Sequence, residues 1–83
     1  GGDTMSITLN IVSQDNQEVV LRVVGEITRR SLIIRSLSWT PLESGDYELV
    51  VTISGEEHRL SRIAHHLDKL VHVLDIRQVN NGE

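Results

Sequence analysis

Ile7, Leu9 and Ile11 alternate with Ser6, Thr8 and Asn10, the period-two pattern of a strand with one buried face, which predicts a first strand over Ser6 to Ser13. After the polar run Ser13-Gln14-Asp15-Asn16-Gln17 the period changes. Val20, Val23, Val24 and Ile27 recur at spacings of three and four and predict a helix with one apolar face, ended by Arg29 and Arg30. Asp15 with Glu18 three residues on reads as a capping box for its start, and both acids suit the positive end of the helix dipole. Ile33 to Thr40 reads as a second strand. Ile34 and Leu37 are three apart there, so either a bulge changes the facing or one of them lies on the outer face. The Pro- and Gly-bearing connection Thr40 to Asp46 then leads into Tyr47, Leu49, Val51 and Ile53, whose strict alternation predicts a third strand in a hairpin with the second.

Ser54-Gly55-Glu56-Glu57 has the form S-x-x-E and predicts the start of a second helix. Leu60, Ile63, Leu67 and Leu70 line one face of it, with Arg59, Arg62, His66 and Lys69 largely opposite. Val71 to Val79 closes as a fourth strand. The order βαββαβ is α+β and folds as a ferredoxin-like unit, a four-stranded antiparallel sheet with two helices on one face. One domain over 5–79 is expected, with tails at 1–4, where Gly1-Gly2 reads as a tag remnant, and at 80–83, which should fray.

Composition narrows the function classes. The 83 residues permit one modest core, and with Trp39, Tyr47 and no Phe that core must be aliphatic. Eight Lys and Arg against 12 Asp and Glu, a formal charge of −4, argue against a phosphate backbone as partner. No stretch approaches the roughly 20 apolar residues of a membrane span, and the start carries neither a basic nor an apolar leader region, so no membrane partner and a cytoplasmic location are expected. The absence of Cys removes thiolate metal sites and Cys nucleophiles. His58, His65, His66 and His72 form no spacing with three convergent ligands, even with Asp68 three residues after His65, and read as exposed helix histidines; no metal site is expected. The serines stand beside no His or carboxylate motif, so the chain is expected not to be an enzyme. An RNA-binding domain of the same element order would need aromatic and basic residues on its first and third strands, and the third strand here has one aromatic, Tyr47, beside the acidic Glu48.

Three segments carry a family likeness: Arg22-Val23-Val24-Gly25-Glu26-Ile27-Thr28-Arg29-Arg30, then Ile34-Arg35-Ser36-Leu37, then Leu67-Asp68-Lys69-Leu70-Val71-His72-Val73-Leu74-Asp75-Ile76. In order and type they resemble the ACT domain of acetohydroxyacid synthase (acetolactate synthase) small subunits, over about residues 5 to 79. The short length and the run Asn16-Gln17-Glu18 resemble the compact isozyme II type. The resemblance implies a non-catalytic regulatory subunit that activates a catalytic chain carrying thiamine diphosphate, Mg and FAD, in branched-chain amino-acid synthesis. A homodimer is also expected, because the ferredoxin-like sheet leaves the second strand, with Ile34, Leu37 and Trp39, as an unprotected edge that can pair with its twin. In valine-sensitive relatives an effector sits between two ACT domains, on a loop Asn, a Gly at the helix opening and an Asn before the second strand. The matching positions are Asp15, Glu18 and Ile33, beside Asn16, and those three depart from the pattern. A Gly there lets backbone amides approach a carboxylate, whereas Glu18 brings its own. A branched-chain amino acid is therefore expected to bind weakly or not at all. The alternative is a free-standing ACT-domain amino-acid sensor.

Overall fold

The computed structural model describes residues 4–79. Its elements follow the expected order: β1 (Thr4–Ser13), α1 (Glu18–Arg29), β2 (Ile33–Pro41), β3 (Tyr47–Glu56), α2 (Glu57–Asp68) and β4 (Val73–Val79). The strands form one antiparallel sheet in the order β2-β3-β1-β4. This is the ferredoxin-like architecture. β1 lies in the centre, and β2 and β4 are the two edges. Of the expected tails, Thr4 opens β1, while 1–3 and 80–83 lie outside the described residues.

The core is aliphatic throughout. Leu9 and Ile11 of β1, Leu49, Val51 and Ile53 of β3, Val19, Val23 and Ile27 of α1, Leu60, Ile63 and Leu67 of α2, and Leu32 are buried together. Each such side chain contributes about 1.5–3 kcal/mol by leaving water. The opposite sheet face is polar, with Thr8 and Thr52 sharing a hydroxyl bond of 2.9 Å and Asn10 donating to Glu48 at 3.3 Å.

The helices differ from the sequence reading at their starts. On α1 the buried track is Val19, Val23 and Ile27, one residue every i+4, with Val20 and Val24 half-buried beside it. Its start is capped by Asn16, whose Oδ1 accepts the Glu18 amide at 2.9 Å, and not by Asp15. Glu18 does not reach back: its carboxylate holds Arg22 at 2.9 Å one turn on. The expected S-x-x-E helix start is a strand end instead. Ser54 and Gly55 pair with Ser6 and Met5, β3 continues to Glu56, and the Ser54 hydroxyl is buried with no hydrogen-bond partner. The ladder to β1 holds this segment extended, and a local box cannot compete with it. Leu70 packs on the core from beyond the end of α2.

The end of α1 is a Schellman motif. Ser31 N–H donates to Thr28 O at 3.1 Å and Leu32 N–H to Ile27 O at 3.2 Å, with Ser31 in the left-handed region at φ 62°. Leu32 is thereby folded back into the core beside Ile27.

On β2 the structure selects the bulge. Ile34 faces Ile53 and Ser36 faces Thr52, so Arg35 is the extra residue, and Ile34, Leu37 and Trp39 all turn toward the helical layer. β4 begins two residues later than expected, because Val71 and His72 are in a turn, with His72 at φ 78°.

Candidate functional site

Asp15, Asn16 and Glu18 lie where β1 hands over to α1. Asp15 and Glu18 are exposed, and Asn16 is half-buried at the centre of a small network. Besides capping the Glu18 amide, Asn16 places its Nδ2 at 3.1 Å from His72 Nε2. His72 Nδ1 lies 2.8 Å from Gln14 Oε1, and the Gln14 amide donates to the His72 carbonyl at 2.9 Å. The carboxamide oxygen of Gln14 only accepts and the Asn16 Nδ2 only donates, so both contacts are hydrogen bonds when His72 carries its proton on Nδ1. His72 is thus a clamp between the turn before β4 and the loop before α1, neither a strand residue nor an exposed helix histidine. Sequence reading missed it because a non-glycine residue at positive φ leaves no signature in the chain.

Three amides at this helix start are already taken. Val19 N–H donates to Asn16 O and Val20 N–H to Gln17 O, both at 3.0 Å, and Glu18 N–H goes to Asn16 Oδ1. An incoming carboxylate would have to displace these bonds and approach the exposed Glu18 carboxylate. Beside the loop, Gln17, Val20, Leu21 and Trp39 line an apolar depression of about 310 Å³. Leu21 is 72% exposed there, and Trp39 is fixed by stacking on Tyr47 with ring centres 4.5 Å apart.

Ile33 is not part of this cluster within one chain. It pairs with Ser54, at the end of the sheet opposite to Ser13 and Tyr47, and is 55% exposed. Ile34, Leu37 and Trp39 lie on the β2 edge, half-buried against the core. Among the described residues no three His, Cys, Asp or Glu side chains gather as a metal site, and no helix is long and apolar enough to cross a membrane.

No family model matches the sequence. Solved structures do match the fold. The ACT domain of a GTP pyrophosphokinase from Chlorobium tepidum is 17% identical, with TM-score 0.74, over 92% of this chain and 99% of that one. The acetolactate synthase small subunit from Thermotoga maritima is 20% identical, with TM-score 0.79, over 93% of this chain and 48% of that one, so the chain spans about half of that subunit. The C-terminal domain of the MgtC protein from Mycobacterium tuberculosis is 12% identical, with TM-score 0.71, over 95% of this chain and 89% of that one. Proteins of different roles thus share this backbone. The likeness is one of architecture: the chain has the ferredoxin-like fold of ACT domains.

Proposed function

We propose that the chain, with residues 5–79 as its ACT unit, is a non-catalytic regulatory subunit of the short isozyme II type that docks on and activates an acetohydroxyacid synthase catalytic chain, with weak or absent valine feedback. The observation that carries the reading is the fold likeness to the Thermotoga maritima acetolactate synthase small subunit, joined to three sequence segments of that type in the same order. Thiamine diphosphate, Mg and FAD belong to the catalytic partner in this reading. The weak feedback rests on the helix start, where Asn16 already takes the Glu18 amide and the Glu18 carboxylate stands exposed.

A homodimer is part of the proposal. Antiparallel pairing of two β2 edges about a two-fold near Leu37 sets Ile33 of a second copy opposite Pro41, at the end of the sheet where the Asn16 loop and the Trp39 depression lie. That arrangement is what an effector site between two domains requires. The second reading, a free-standing amino-acid sensor, is favoured by the apolar depression itself, which has room for a branched side chain.

Mixing the chain with the cognate thiamine-dependent catalytic subunit tests the first reading. Synthase activity rises above that of the catalytic subunit alone, and valine at millimolar concentration leaves it nearly unchanged. No activation and no co-sedimentation with a confirmed cognate subunit would sink it. Calorimetry of the isolated chain with valine, leucine and isoleucine tests the second, which needs submillimolar binding of one of them.

A further inference from the structure

Arg30 at the end of α1 and His58, Arg59, Arg62 and His66 along α2 surround an open hollow of about 350 Å³. It lies away from the Asn16 loop and plays no part in the function proposed above. In a chain of formal charge −4, three of the eight basic residues and two of the four histidines converge on this one place.

Two of the guanidinium groups are held in position. Arg59 donates from Nη1 to the Arg30 carbonyl at 3.1 Å and from Nε to Glu56 at 3.3 Å, and Arg30 holds Glu26 at 2.7 Å. Glu26 is shared with Arg29 at 3.1 Å, so two carboxylates serve three guanidinium groups, and the fourth, Arg62, has no ion pair among the described residues. The surplus is felt locally. Burial first, then Arg30, His65 and Arg62, hold the His66 imidazole below its ordinary 6.5, against a smaller upward pull from Glu26. Gathering like charges around a hollow is unfavourable until an anion enters it.

We propose that this hollow binds a small phosphorylated anion of the diphosphate class. Planar guanidinium forks match phosphate oxygens two at a time, and fixed forks lose little freedom on binding. The volume suits a small ligand. An extended polyanion is disfavoured because the surplus is confined to one hollow of an otherwise acidic chain.

Inorganic pyrophosphate is the probe, titrated into the full chain at low salt by calorimetry and by proton–nitrogen NMR. Submillimolar binding is expected, with shifts concentrated on the side-chain N–H groups of Arg30, Arg59 and Arg62 and on the His66 ring, and with the His66 titration midpoint moved upward. Arg62→Glu weakens binding about tenfold or more, while Arg77→Glu, on the exposed face of β4, changes it less than about twofold. Arg62→Gln serves as a milder variant if circular dichroism finds Arg62→Glu unfolded. Shifts scattered over the surface, equal weakening by Arg77→Glu, or tighter binding of a single-stranded oligonucleotide than of pyrophosphate would overturn the proposal.

Discussion

Asn16 and His72 are joined side chain to side chain, Nδ2 to Nε2 at 3.1 Å, across 56 positions of sequence. The bond ties the loop that starts α1 to the turn that starts β4. His72→Ala loses this bond and the one to Gln14 while keeping a side chain at positive φ, and is expected to cost about 1–2 kcal/mol. His72→Gly loses the same bonds but relieves the backbone, so it costs less than His72→Ala. Asn16→Ala also removes the cap and costs about 1–2 kcal/mol. Urea midpoints measure each, and a double-mutant cycle should give a coupling of about 0.5–1 kcal/mol. Strict additivity would mean that the two side chains do not interact.

Ser31 occupies the left-handed position of the Schellman motif that closes α1. Glycine adopts that conformation without strain, so Ser31→Gly is expected to stabilise the chain by about 0.5–1 kcal/mol, read as a rise in Tm. A fall in Tm would place the value of Ser31 in its hydroxyl instead.

A side chain at Gly55 has no room. A Cβ there would collide with Leu32 Cδ2, and Leu32 is 4% exposed, so its rotamer cannot change without disturbing the core. Gly55→Ala is expected to cost about 1–3 kcal/mol. Pairing it with Leu32→Val should cost less than the two single changes added together, by thermal unfolding. If Gly55→Ala is neutral, Leu32 has more space than its burial indicates.

Because His66 is held below 6.5 in the folded chain, the unfolded chain binds more protons as pH falls beneath that value. His66 therefore subtracts stability as pH drops through 6.5, and the loss levels off once the folded imidazole also titrates. NMR titration of the ring should find its midpoint under 6.5. Arg62→Gln raises that midpoint only partly, since burial is the leading cause. Full recovery on removing Arg62 would reverse that ranking.

Replacing Glu18 with Gly and Ile33 with Asn together tests the proposed effector loop. Calorimetry should find submillimolar valine binding in the double variant, and weaker binding or none in the parent and in either single variant. Submillimolar binding by the parent would contradict the assignment of weak feedback, and silence from the double variant would mean that Asn16, by keeping the amide of residue 18, closes the loop on its own.

Element order, sheet class and the aliphatic core were legible because each rests on local periodicity: Leu49, Val51 and Ile53 are buried as their alternation requires. The boundaries that shifted depend on distant partners. Ser54 and Gly55 look like a helix start in isolation but are fastened to Ser6 and Met5 of β1, almost fifty positions earlier. Val71 and His72 look like strand, yet the bond from His72 to Gln14 draws them into a turn. The loop residues Asp15, Asn16 and Glu18 could be placed, but not their division of labour, because which acceptor takes an amide is settled by geometry on the ångström scale. The hollow between Arg30 and Arg62 joins two helices whose contact no pattern within either one predicts.

The central position of β1 also dictates an order of assembly. Its two neighbours, β3 and β4, are both encoded later, and the last of them ends at Val79. As the chain leaves the ribosome, β1 has no partner until β3 emerges, and its second side stays open until β4 has followed. The β2–β3 hairpin needs only a short loop to close and is available first as a template. β1 must then return across α1 to dock on it, so the chain's earliest strand is among the last pieces to be locked in place.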